Sequence, residues 1–114
     1  MIANEKDFEN ALRTVVTTKK DEFVSMVTEI KDSLKDPGEL KKKIDLDKIY
    51  SDLDEFEIDF IHGEAFASQL KSGSIFPKVE AKHLNNPEAI WDRLIDEIES
   101  EYERYFSTEI HLIV

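Results

Sequence analysis

The chain contains no cysteine. That excludes disulfide scaffolds, thiolate zinc sites and thiol nucleophiles, and it fits a reducing compartment. Its only glycines, Gly38, Gly63 and Gly73, are too scattered to form a glycine-rich loop that cradles phosphates. No apolar run exceeds three residues, so no stretch has the make-up of a membrane-spanning helix. The first residues, Met1-Ile2-Ala3-Asn4-Glu5-Lys6-Asp7, place acids where a secretory leader carries a basic patch and then an apolar segment. A cytoplasmic location is the expectation. Basic residues are also in short supply: 15 Lys and Arg stand against 26 Asp and Glu, a net charge of −11. Such a chain repels phosphate backbones and anionic headgroups, which argues against direct nucleic-acid or membrane binding.

What is present is material for one core. Of 114 residues 40% are hydrophobic, with seven Phe, three Tyr and one Trp, enough for a single folded domain spanning residues 1–114 and against disorder. The charge is unevenly spread along it. Residues 1–44 hold nine acids and nine bases, whereas residues 45–64 hold eight acids and only Lys48. Residues 65–87 are slightly basic, and residues 88–105 carry seven acids against Arg93 and Arg104. Two acidic stretches thus hold the excess, a pattern that points to a charged face.

Asn4 with Asp7 three residues on is a helix N-cap pattern. Phe8, Leu12, Val15, Phe23, Val27 and Ile30 continue one apolar stripe, predicting a long N-terminal helix kinked near Thr17-Thr18-Lys19-Lys20, where β-branched residues meet lysine. After the Asp36-Pro37-Gly38 break, Leu40, Ile44, Ile49 and Leu53 predict a shorter helix ending near Asp52. Phe56, Ile58 and Phe60 alternate with Glu57 and Asp59, the period-two signature of a strand, and His62-Gly63 reads as a turn. Residues 64–84 carry a weak signal. Asn86 and Pro87 open a well-defined helix with Trp91, Leu94, Ile95, Ile98, Tyr102 and Tyr105 on one face, ending at Ser107-Thr108. Ile110, Leu112 and Val114 then alternate as a closing strand. The expectation is an α+β fold, with three to four helices packed on a small, mostly antiparallel sheet.

At 100° per residue, Asp92, Asp96, Glu99 and Glu103 fall within ~60° of arc, an acidic ridge opposite the Leu94 side of the last helix. Like charges at i, i+4 disfavour a helix by a few tenths of a kcal/mol per pair, so the ridge either is simply solvated or meets a basic surface. Its mean spacing of ~5.5 Å is sparser than the ~3.4 Å between phosphates of a DNA strand, which weighs against nucleic-acid mimicry. Asp52, Asp54, Glu55, Glu57 and Asp59 make a second candidate patch. A calcium loop beginning at Asp45 fails, because Tyr50 and Phe56 stand where glycine and glutamate are required. His62 between Asp59 and Glu64 is the one grouping that hints at acid–base or metal work, and His83 and His111 lie apart from it. The reading is therefore a protein without catalytic residues, metal or cofactor.

The segment Asn85-Asn86-Pro87-Glu88-Ala89-Ile90-Trp91-Asp92-Arg93-Leu94 resembles the helix start around the tryptophan of barstar-type ribonuclease inhibitors. The likeness is confined to that segment, the element order after it departs from the family, and no residue role is carried over. At the level of class, bacterial immunity proteins are often small, acidic, free of cysteine and α+β, and their nuclease toxins are basic because they hold nucleic acid. The expected function is a stoichiometric inhibitor that binds a basic protein, masking a nuclease-type cleft through Asp92, Asp96, Glu99, Glu103, Asp52, Asp54, Glu55, Glu57 and Asp59. The alternative is a dimeric adaptor or secretion-chaperone-like protein that holds a partner on its apolar helix stripes. Monomer and homodimer are both compatible with the sequence.

Overall fold

Helix α1 (Glu5–Thr18) starts where the sequence places its cap: Asn4 is extended, and its side-chain carbonyl accepts the Asp7 N–H at 2.9 Å. It buries Phe8, Leu12 and Val15. The chain then breaks at Lys19, and α2 (Lys20–Ile30) buries Phe23 and Val27. Threonine back-bonding accompanies the break. The Thr14 and Thr18 hydroxyls donate to the carbonyls four residues earlier, at 3.0 and 2.9 Å, a geometry that bends helices. The structure, a computed structural model, describes the backbone of residues 1–113 and the side chains of residues 1–106.

The helix expected from Leu40 to Asp52 is three short pieces: α3 (Leu40–Lys43), α4 (Leu46–Tyr50) and α5 (Asp52–Glu55). Ile44 is extended, and the carboxylate of Asp45 then accepts the Lys48 N–H at 3.0 Å and restarts the helix. The apolar spacing still holds, since Leu40, Ile44, Ile49 and Leu53 are all buried. Helix α6 (Ile61–Ser72) ends at Gly73, whose φ of 78° lets the Gly73 and Ser74 N–H groups turn back onto the Leu70 and Gln69 carbonyls. Beyond a 3-10 turn at Ala81–Asn85, α7 (Pro87–Ile113) closes the chain.

Among the described residues there is no sheet, which corrects the α+β expectation to an all-helical fold. Phe56 to Phe60 is extended but makes only one isolated parallel bridge, between Ile2 and Ile58. Two backbone bonds hold it, Ile2 N–H to the Glu57 carbonyl and Asp59 N–H to the Ile2 carbonyl, both 2.7 Å. Among the described residues no further strand neighbours it, and Phe60 immediately caps α6. His62 and Gly63 belong to the first turn of α6 and are no turn between elements. Gly63 is required there by close approach: a Cβ would stand 2.6 Å from the Phe60 ring and 2.9 Å from Ile58. The closing strand is also absent, because α7 runs past Ser107-Thr108 to Ile113; Val114 lies outside the described residues. Propagating an established helix takes one bond per residue, whereas a lone strand has nothing to pair with.

The core has two centres. Where α2 crosses the first half of α7, Phe23 packs on Trp91 with centroids 4.9 Å apart. Farther along, Phe8 of α1 sits among Phe66, Tyr102 and Phe106 at 5.9–6.3 Å. Helix α4 lies on α6, burying Ile49, Tyr50 and Leu70. At ~1.5 Å per residue the 27 residues of α7 account for most of the 47 Å long axis. The longest element is therefore the last helix, not the first.

Candidate functional site

Helix α7 is oriented by the apolar residues that it buries, Ile90, Trp91, Leu94, Ile98 and Phe106. That orientation places Asp92, Asp96, Glu99 and Glu103 together on its solvent edge, all exposed. The two arginines of this helix are engaged elsewhere. Arg93 lies 3.2–3.3 Å from the ring nitrogens of His83, and Arg104 donates to Glu101 at 2.6 Å. Among the described residues no ion pair or hydrogen bond reaches the four ridge carboxylates. The ridge is thus uncompensated among the described residues.

Beside it runs a groove of about 410 Å³ between α1 and α7. Leu12 and Ile98 form its floor and Val16 and Ile95 its half-buried walls, with Glu9 and Arg13 on the α1 rim and Glu99 and Glu103 on the α7 rim. Arg13 donates to Glu9 at 2.8 Å. At one end Tyr102 donates its hydroxyl to the Glu5 carbonyl at 2.9 Å, tying α7 to the start of α1. Burial first, then the charges of Glu9 and Glu5, push the Tyr102 phenol up to about 12, so it remains a donor at neutral pH.

The second acidic stretch is placed differently. Asp52 pairs with Lys19 at 3.5 Å, Lys19 also meets Glu22 at 3.2 Å, and Lys48 reaches Glu22 at 3.9 Å. The hydrogen bond to Glu22 is the main influence holding the Lys19 ammonium above its ordinary range; desolvation opposes it, and the charges of Glu22 and Asp52 add to it. Asp54 pairs with Lys71 at the end of α6. Glu57 and Asp59 are exposed, and their backbone groups hold the N-terminal bridge. Asp52 and Glu55 line a hollow with Asp7, Asn10 and Thr14 of α1, whereas Glu9, Arg13 and Val16 line the α7 groove. At 100° per residue these two α1 sets point in roughly opposite directions. The two acidic stretches therefore flank α1 on opposite sides and form no common surface.

Glu9 and Arg13 were not legible as site residues, because they lie in the stretch whose charges cancel; only the packing of α1 against α7 brings them to the ridge. His62 stacks edge-on to Tyr105 at 5.9 Å in place of a cluster with Asp59 and Glu64. His83 accepts the Glu80 N–H at 3.0 Å, a capping role, and the side chain of His111 lies outside the described residues. Among the described residues no three His, Asp or Glu side chains converge to hold a metal ion, and no helix is long and apolar enough to cross a membrane. Another hollow, of about 460 Å³, gathers Lys41, Lys42 and Lys71 where α3 and α6 end, and Asp45 and Asp47 share it. Those lysines offset the negative ends of two helices. No protein-family model, curated protein or solved structure matches this chain.

Proposed function

We propose that this protein binds a basic protein partner through the acidic edge of α7, and that it does so as a stoichiometric inhibitor, an immunity-type protein covering the cationic cleft of a nuclease-type toxin. One observation carries the reading: Asp92, Asp96, Glu99 and Glu103 stand together without a counter-charge among the described residues, while both arginines of their helix are engaged by His83 and Glu101. Four like charges left in that state disfavour the free helix slightly and favour a complex with a cationic surface, where steering speeds encounter and close pairs slow escape. Catalysis, a metal and a cofactor have no part in this reading. The adaptor alternative draws no comparable support, because the stripes of α1 and α2 are consumed in the chain's own core and, among the described residues, the exposed large apolar side chains are Met1, Phe56 and Ile61.

The test is affinity capture at low and high salt with the wild-type protein and with a D92N/D96N/E99Q/E103Q variant, followed by nuclease assays on whatever the wild type alone retains. The reading expects a basic protein, retained one to one at low salt, lost with the variant, and inhibited in its nuclease activity by the wild type. Retention of the same partner by the variant at undiminished strength would overturn it.

A further inference from the structure

The groove between α1 and α7 joins two features that one kind of side chain combines. Its floor and walls are aliphatic, from Leu12, Ile98, Val16 and Ile95, and its rims are anionic, from Glu9, Glu99 and Glu103. Arginine has an apolar three-carbon stem and a planar, weakly hydrated fork that two carboxylates can grip together. Glu99 and Glu103 are four residues apart on one helix, so both can reach a single guanidinium lying in the groove, and such a guest relieves their mutual repulsion. The cation already at the rim is of the same type. Arg13 is held there by Glu9 alone, at 2.8 Å, with three quarters of its side chain exposed.

Resting on the reading of a basic partner, we infer that this groove is the receptor for an arginine side chain of that partner, its stem on Val16 and Ile95 and its guanidinium between Glu99 and Glu103. Arg13 is paired with Glu9 on the opposite rim, where its positive charge opposes the incoming guanidinium. The occupant follows from charge complementarity. A lysine offers a point charge that the exposed ridge serves equally well, whereas the aliphatic trough adds something only for a side chain that lies flat along it.

The probes are capped hexa-arginine and hexa-lysine peptides, titrated by fluorescence anisotropy and by the methyl NMR shifts of Val16 and Ile95. Hexa-arginine is expected to bind about fivefold more tightly than hexa-lysine and to move both methyl signals. Thr17→Trp fills the groove from an exposed position without altering charge, and it should remove that preference; Arg13→Gln should tighten hexa-arginine binding about twofold to threefold. Equal binding of the two peptides, unaffected by Thr17→Trp yet weakened by D92N/D96N, would overturn the groove and leave the ridge reading standing. Failure of hexa-arginine to bind would also overturn the groove, and the partner-capture experiment would then judge the ridge reading separately.

Discussion

The two acidic stretches differ less in how much charge they carry than in what the charge does. In residues 45–64, Asp45 caps α4, Asp52 holds Lys19 at the α1–α2 break, and Asp54 holds Lys71 at the end of α6. Asp52 and Asp54 are tied into local architecture by lysines from other elements and Asp45 by the Lys48 N–H of its own helix, while Glu57 and Asp59 stay exposed. Along α7, Asp92, Asp96, Glu99 and Glu103 have no such assignment, and the nearby arginines face His83 and Glu101. Net charge per segment ranks the first stretch above the second. Pairing reverses the ranking, because lysines distant in sequence reach one stretch and not the other.

The largest expected effect separates the two directly. Neutralising Asp92, Asp96, Glu99 and Glu103 should slow association with the proposed basic partner about a hundredfold at low salt, the range of electrostatic steering, while Asp52→Asn with Asp54→Asn should change it less than about threefold. Stopped-flow rates over a range of ionic strengths decide this, and equal losses from both variants would erase the distinction. Next in size is a change of stability confined to the first stretch. Gly63→Ala forces a methyl to within 2.6 Å of Phe60 and 2.9 Å of Ile58, and overpacking of that kind costs about 1–3 kcal/mol. Urea unfolding should report that loss, with the association rate unchanged.

Local signals were read well where a helix is decided locally. The Asn4 cap, the break at Lys19 and the Asn86-Pro87 start of α7 all follow from side chains within a few residues of one another. The α+β class failed because Phe56-Ile58-Phe60 alternate as a strand does, yet a strand exists only through neighbours, and the fold supplies Ile2 alone. Phe56 in consequence remains 48% exposed. Gly63 was mistaken for a turn glycine because close approach of an aromatic ring leaves no mark in the sequence. The ridge was legible, being a property of one helix face. The groove was not, since Glu9 and Arg13 join it only through the packing of α1 on α7.

The tie that closes one end of the groove titrates. The Tyr102 phenol has its pKa raised from 10.0 to about 12 by burial and by Glu9 and Glu5. A phenol ionises more readily in the unfolded chain, so the stability from this raised pKa is fully present below pH 10 and is lost as the pH climbs from 10 towards 12. Thermal midpoints measured across that interval should fall, and Tyr102→Phe should show a shallower decline. Equal slopes for the two proteins would mean that folding does not hold the Tyr102 phenol above its ordinary range.

The smallest effects carry opposite signs, which makes them the sharpest comparison. Asp52→Asn leaves Lys19 with Glu22 alone, and the loss of one partly exposed ion pair should lower the midpoint slightly. Removing the ridge charges should do the reverse. Asp92 with Asp96 and Glu99 with Glu103 are i, i+4 repulsions worth about 0.2–0.5 kcal/mol each, and Asp96 with Glu99 adds an i, i+3 repulsion. The free ridge variant should therefore melt slightly higher than the wild type at low salt, and the gain should fade as salt screens the repulsion. A gain in stability on losing the side chains assigned to the proposed partner would support their retention for binding. Destabilisation by the ridge substitutions would instead make those carboxylates part of the fold, as Asp52 and Asp54 are.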